Sequence, residues 1–207
     1  MHGAEVVIAD LGLGNLHSLA KAFERLGARV RVSPRVEEWL EAPIWVLPGD
    51  GAFGPAARAL HPHREALRRK FEEGPALGIC LGMQLLFERS EEVPEPDPKA
   101  QGLGVLPGVV RRLGARRLPH MGWNALRFQP HEPLFAGVPR GAHVYFIHSY
   151  GLADHPRAVA WTDYEGPVVA VVRAGPRSYA TQFHPEKSSR VGLQILRNFL
   201  ELAHDAL

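Results

Sequence analysis

Short apolar runs alternate with helix-patterned stretches through the first half of the chain, and this alternation restricts the fold more than any other feature. Residues 5–9 (EVVIA) read as a buried strand. Residues 15–26 carry Leu16, Leu19, Ala20, Phe23 and Leu26 at helical spacing, and Gly27 stops the helix. Residues 29–32 (RVRV), 44–47 (IWVL) and 76–79 (ALGI) read as three more strands. Residues 55–71 are helical with a break near His61-Pro62, because proline removes a backbone donor and crowds the preceding turn. Strands that alternate with helices need right-handed crossovers and lie in a parallel sheet covered on both faces.

The pattern changes near residue 91. Residues 91–98 are acidic and carry Pro94, Pro96 and Pro98, which predicts a surface loop. Shorter strands and hairpins follow at 105–112, 123–128, 144–147, 158–161, 168–172 and 179–182. A last helix over 189–203 draws its apolar face from Val191, Leu193, Ile195, Leu196, Phe199 and Leu200. The expected fold class is α/β. An open, mostly parallel central sheet is flanked by helices, with an added antiparallel β region in the second half, all in one domain over 1–207.

Composition narrows the setting. Hydrophobic residues are 45% and charged residues 22%, ordinary globular values that exclude a disordered chain. The single cysteine, Cys80, excludes an internal disulfide and suits a reducing compartment. The opening MHGAE lacks a signal-peptide pattern, and no apolar run nears the ~20 residues of a membrane span, so a cytoplasmic protein is expected. The arginine pairs Arg68-Arg69, Arg111-Arg112 and Arg116-Arg117 sit in a chain of net charge +2, which favours solvated faces over a nucleic-acid surface.

Cys80 is the chemically distinctive residue. It lies in Gly78-Ile79-Cys80-Leu81-Gly82, after a predicted strand and before a predicted helix over 82–88. Gly-x-Cys-x-Gly at such a junction has the form of a nucleophile elbow. The helix N-terminus favours thiolate over thiol, and the Leu81 amide is placed to donate to an oxyanion. A thiol that attacks an amide needs an imidazole to move its proton, and the imidazole needs an orienting acceptor. His184-Pro185-Glu186 offers both at the end of a predicted strand, and Cys80 sits at another strand end. In open parallel sheets reacting groups gather at the carboxyl ends of strands. Pro48-Gly49-Asp50-Gly51 closes the third strand and can present backbone N–H groups to an oxyanion. Asp10-Leu11-Gly12-Leu13-Gly14-Asn15 lacks the third glycine of a nucleotide loop, since His17 stands there. His61-Pro62-His63 is too little for a zinc site, so no metal is expected.

Three motifs in this order, residues 48–51, 78–84 and 182–186, resemble the class I, triad-type glutamine amidotransferases, whose sheet is flavodoxin-like. The stretches DLGLGNLHS (10–18), GMQLLFERSEE (82–92), HMGWN (120–124) and YFIHSY (145–150) extend the resemblance over nearly the whole chain. Within the family they are similar to the glutaminase subunits of imidazole glycerol phosphate synthases. The resemblance implies hydrolysis of L-glutamine to glutamate and ammonia through a thioester on Cys80. It makes His184 the proton carrier and Glu186 its orienting partner. It places the oxyanion on the amides of Leu81 and of the Gly49, Asp50, Gly51 loop, the loop donating after a peptide flip. It places glutamine against Gln84, Ser149 and Tyr150. It requires no cofactor and implies a heterodimer with a (β/α)₈-barrel cyclase. That cyclase uses the ammonia to make imidazole glycerol phosphate and AICAR in histidine biosynthesis. Asn15, Met121 and Trp123 match positions near that interface, although Trp123 also reads as a core residue. An acid beside a developing oxyanion is unhelpful, so the Asp50 side chain is expected to point away. A glutaminase for another acceptor, a free-standing γ-glutamyl hydrolase and a non-catalytic scaffold are the competing readings; the intact Cys80, His184, Glu186 set opposes the last.

The chain has 20 arginines against 4 lysines, and only 3 asparagines and 5 glutamines. Heat adaptation and a GC-rich genome both produce that bias. Heat adaptation predicts a calorimetric unfolding midpoint above the roughly 45–65 °C of mesophile domains. A midpoint inside that range assigns the bias to base composition.

Overall fold

The structure, a computed structural model, describes residues 3–12 and 14–204. Its first half runs β1 (Glu5–Ala9), α1 (Leu16–Arg25), β2 (Arg29–Ser33), α2 (Val36–Glu41), β3 (Ile44–Leu47), α3 (Phe53–Leu60), a 3₁₀ turn at His61–His63, α4 (Arg64–Glu73) and β4 (Ala76–Ile79). A single helical turn, α5 (Leu81–Gln84), follows. The second half adds β5 (Arg89–Ser90), β6 (Val109–Arg112), β7 (His120–Ala125), β8 (Arg127–Phe128), β9 (His143–His148), β10 (Tyr150–Gly151), β11 (Ala158–Asp163), β12 (Pro167–Arg173), β13 (Tyr179–Thr181) and α6 (Ser189–His204).

Eight strands form the central sheet in the order β2-β1-β3-β4-β13-β12-β11-β8. The first five are parallel, and the last three extend the sheet antiparallel. Beside it lie the antiparallel pair β7/β9 and a small sheet of β10, β6 and β5. This is the expected mostly parallel sheet with an antiparallel addition. Alternate residues of the inner strands point to opposite faces. Val6, Ile8 and Val46 join a core under α1 and α6, whereas Val7, Trp45 and Leu47 join a second core under α2, α3 and α4. Among the described residues, no helix is long and apolar enough to cross a membrane.

Two local expectations need correction. The helix predicted over 82–88 is only the turn Leu81–Gln84. Leu85, Leu86 and Phe87 are fully buried, and the carbonyls of Leu85 and Leu86 accept from Leu103 and Leu106 instead of continuing a helix. Packing on an incoming segment has overridden the helical pattern. Helix α2 went unpredicted because VEEWLE is short and carries one large anchor. Trp39 supplies it, stacking on Trp45 and donating from Nε1 to the Ser33 carbonyl at 2.7 Å.

The sheet brings the carboxyl ends of β1, β3, β4 and β13 to one edge. β1 pairs with both β2 and β3, so the strand order reverses there and opens a crevice between the loops that follow β1 and β3. The elbow after β4 is wedged against the loop after β3. A Cβ on Gly82 would stand 1.8 Å from the Leu47 carbonyl oxygen. Gly82→Ala is therefore expected to lower the unfolding free energy by about 1–3 kcal/mol, through forced backbone displacement. Urea denaturation reads this as a lower midpoint at unchanged slope; an unchanged midpoint would show that the loop after β3 yields freely.

Candidate active site

Cys80 sits between β4 and α5 with φ 54° and ψ −107°, a left-handed conformation costly for a residue with a Cβ. Its surroundings over-determine it. The Cys80 N–H donates to the Thr181 carbonyl at 2.7 Å, and the Cys80 carbonyl accepts from Met83 and Gln84 at 3.0 and 3.2 Å. A Cβ on Gly78 would lie 2.9 Å from the Gly82 carbonyl oxygen, so crowding demands both flanking glycines.

Parallel pairing of β4 with β13 sets Ile79 opposite Thr181 and brings the two strand ends together. Beyond β13 the chain is pinned twice. Thr181 Oγ1 donates to the Phe183 carbonyl at 2.8 Å, and the His184 N–H donates to the Tyr145 carbonyl of β9 at 3.0 Å. A 3₁₀ turn at Pro185–Lys187 then swings Glu186 back, and its Oε1 accepts from His184 Nδ1 at 2.8 Å. The stiff φ of Pro185 makes that two-residue reach reproducible. Helix α6 braces the turn, since a Cβ on Gly192 would stand 1.8 Å from the Pro185 carbonyl oxygen.

With Nδ1 committed, His184 turns Nε2 toward the thiol. The ring is 2% exposed. Burial opposes charge on it, but the Cys80 sulfur and the Glu186 carboxylate outweigh burial and hold the imidazolium up to about 10. Gln182, buried in the same motif, points its amide nitrogen at Cys80 Sγ from 3.7 Å, and the Ile147 carbonyl lies 3.7 Å from the sulfur on the other side. The Gln182 contact went unread because its neighbours in sequence are strand residues, and only the β4–β13 pairing points it at sulfur.

The Leu81 amide and the Asp50 side chain depart from expectation. The Leu81 N–H is not free: it donates to the Gly49 carbonyl at 3.2 Å. The amide expected to meet an oxyanion is therefore covered by a backbone oxygen. Nor does Asp50 point away. Its Oδ1 lies 3.5 Å from His184 Nε2, and its Oδ2 and backbone nitrogen crowd the place where a Cβ on Gly14 would be. The cationic ring supplies the attraction. Among the described residues, Asp50, Cys80 and His184 are also the set of side chains able to hold a metal ion.

A cleft of about 350 Å³ opens over Cys80. The expected Gln84, Ser149 and Tyr150 line it, together with Glu92, His148 and Lys187, which went unread in the sequence. Gln84 is held by the Tyr150 carbonyl, to which its Nε2 donates at 2.9 Å. Glu92 closes an acidic SEE run that looked like surface. Its Oε2 accepts the Phe53 N–H at 2.7 Å, and that bond fixes a carboxylate at the cleft wall. His148 Nδ1 donates to the same Tyr150 carbonyl at 2.8 Å, and burial pushes it down to about 4, so it stays neutral. Asn15 caps α1, its side chain accepting from the Ser18 N–H. Met121 and Trp123 are 59% and 49% exposed on β7, so Trp123 is not a core residue; it packs edge-on against Tyr145. Arg68, Arg111 and Arg116 pair with Glu65, Glu91 and Glu165 at the surface.

The family model for glutamine amidotransferase class-I matches residues 7–203. A protein of Synechococcus sp. (strain JA-3-3Ab), named imidazole glycerol phosphate synthase subunit HisH, is 44% identical over 97% of this chain and 95% of its own. A protein of the same name from Halobacterium salinarum is 45% identical over 98% of this chain and 95% of its own. A solved glutamine amidotransferase superposes with a TM-score of 0.72 at 22% identity, covering 96% of this chain and 98% of that one. PurLQS from Thermotoga maritima superposes at 0.71 and 17% identity, over 97% and 99% of the two chains. At those identities the superpositions speak for the fold, and the family rests on the sequence matches. The chain belongs to the class-I glutamine amidotransferases, and within them it groups with the HisH subunits of imidazole glycerol phosphate synthase.

Proposed function

We propose that residues 1–207 form one glutaminase domain that hydrolyses L-glutamine with Cys80, His184 and Glu186. The observation that carries this reading is the strained Cys80 elbow facing a buried, Glu186-anchored His184 across two adjacent parallel strand ends. The Cys80 sulfur attacks the carboxamide carbon, and its proton resides on His184 Nε2. Collapse of the tetrahedral adduct breaks the C–N bond, and the same nitrogen protonates the leaving ammonia. A glutamyl thioester remains on Cys80. His184 then takes a proton from water, the hydroxyl attacks the thioester, and glutamate leaves with the thiol restored. Glu186 keeps the proton-carrying nitrogen aimed at sulfur and stabilises the imidazolium.

The cleft complements glutamine. Among its lining residues Glu92 carries the charge that suits the α-ammonium and Lys187 the charge that suits the α-carboxylate, while Gln84, Ser149 and Tyr150 line the walls. Oxyanion stabilisation needs the Gly49 carbonyl to leave the Leu81 N–H, with the Gly49–Asp50 or Asp50–Gly51 peptide turning to donate in its place. Ammonia is delivered to a (β/α)₈-barrel cyclase in the cytoplasm, which forms imidazole glycerol phosphate and AICAR. The HisH relatives are named as subunits of that synthase. The apolar outer face of β7 and β9, with Met121, Trp123 and Ile147, supports a docking surface close to the thiol, and Asn15 is exposed at the start of α1.

Purified Cys80→Ala protein is expected to lose at least about 10⁴-fold of glutamate release. Loss in His184→Ala should exceed loss in Glu186→Gln, because an orienting group contributes less than the proton carrier. Near-normal release from Cys80→Ala would mean that the nucleophile is misassigned.

A covered Leu81 N–H forfeits one oxyanion donor, worth roughly 10²–10³ in kcat. The chain alone is therefore expected to hydrolyse glutamine slowly, and the cyclase with its nucleotide ligand to restore a factor of about that size. High activity alone, unchanged by the cyclase, would make the protein a free-standing hydrolase.

A further inference from the structure

Hydrolysis assigns no work to the Asp50 side chain, yet its carboxylate belongs, among the described residues, to a cluster of three potential ligand atoms. One atom each from Asp50, Cys80 and His184 lies within 4.8 Å of the other two. Sulfur, imidazole nitrogen and carboxylate oxygen are the ligand types of zinc, and three protein ligands with a fourth position open to a cleft is a common zinc arrangement. Two ligands bound about 2.1 Å from a tetrahedral ion stand about 3.4 Å apart. The His184 Nε2 to Asp50 Oδ1 separation is 3.5 Å.

The His184 side chain makes the site more than a meeting of a thiol and an acid. It is 3% exposed, and its Nε2 has no hydrogen-bond partner although it faces both other donors. Behind it, Nδ1 donates to Glu186 at 2.8 Å. A carboxylate on the far ring nitrogen is the outer contact that metal-bound histidines use to fix their orientation and raise their basicity. Hard cations that demand an all-oxygen shell do not suit this set.

We propose that a borderline-soft divalent cation, zinc by its donor set, binds across Asp50, Cys80 and His184 and excludes glutamine from the thiol. The ion occupies the sulfur lone pair that attacks the amide and the ring nitrogen that carries the proton. The proton carried on His184 Nε2 leaves to solvent as the ion enters. Through Asp50 the ion also ties the loop after β3 to the catalytic pair, in the position where the Gly49 carbonyl covers the Leu81 N–H. The binding stands on the geometry alone; its effect on turnover rests on the glutaminase reading.

The test is titration of the purified full chain with Co²⁺, followed by displacement with Zn²⁺. One Co²⁺ per chain is expected, with a thiolate-to-cobalt charge-transfer band and tetrahedral d–d bands. Cys80→Ser should lose the charge-transfer band. Asp50→Ala and Glu186→Gln should bind about 10- to 100-fold more weakly while their circular dichroism stays native. In the unaltered chain, stoichiometric Zn²⁺ should slow alkylation of Cys80 by iodoacetamide, and Mg²⁺ should not. Absence of a saturable band, undiminished binding by both variants, or alkylation indifferent to Zn²⁺ would each overturn the proposal. A chain that binds one Co²⁺ with these bands, yet releases no glutamate with or without the cyclase, would uphold the site and sink the glutaminase reading. A chain that turns over glutamine equally with and without bound Zn²⁺ would overturn the proposal and leave hydrolysis intact.

Discussion

The candidate site depends on one parallel strand pairing. Three register pairs join β4 to β13, Leu77 with Tyr179, Gly78 with Ala180 and Ile79 with Thr181. The hydrogen bond from the Cys80 amide to the Thr181 carbonyl continues the ladder one residue past the strand. Cys80 and Gln182 are 102 positions apart along the chain, and nothing local holds them together. The loop-closure entropy of that separation is met by burial on both faces of the sheet, with Leu77 and Tyr179 in one core and Ala76 and Ala180 in the other. The strain at Cys80 persists for the same reason. Cys80 keeps its left-handed conformation because its amide, its carbonyl and both flanking glycines are all engaged.

The engaged Leu81 amide follows from ordinary rules of burial. The Leu81 amide is buried, and a buried N–H left without an acceptor costs about 1–3 kcal/mol. The Gly49 carbonyl satisfies it when no substrate is there. On the proposed reaction the Gly49 carbonyl gives way only when a developing oxyanion takes the Leu81 N–H, so the resting arrangement is the cheaper one. Gly49 suits this because a side chain there would crowd Leu81: a Cβ would lie 3.1 Å from the Leu81 Cβ.

Much of the fold was legible because β1, β3 and β4 are buried on both faces and read as continuous apolar runs. The Cys80 elbow was legible because its constraint is local, two glycines around a thiol at a strand end. His184 and Glu186 were legible as chemistry, since an imidazole two residues from a carboxylate suits a proton carrier and its partner. Their approach to Cys80 was not, because it depends on which strands pair. Residues 85–87 misled because a buried turn and a buried helix share the same apolar run. Asp50 misled because its carboxylate answers to the cationic His184 ring, a partner brought near only by the fold. Glu92 was invisible because its role comes from an amide 39 residues away, at the start of α3. The core alternative for Trp123 fails because β7 and β9 form a separate two-stranded sheet on which Trp123 is exposed.

Strand β9 serves two neighbours at once. Its Tyr145 carbonyl holds the His184 amide, its Ile147 carbonyl lies against the Cys80 sulfur, and Ser149 and Tyr150 of the cleft wall follow directly. The other edge of the strand is zipped residue by residue to β7, from His120–His148 to Ala125–His143. The same strand thus borders the thiol along one edge and the exposed Met121 and Trp123 strand along the other, so the outer surface and the sulfur stand a single strand apart.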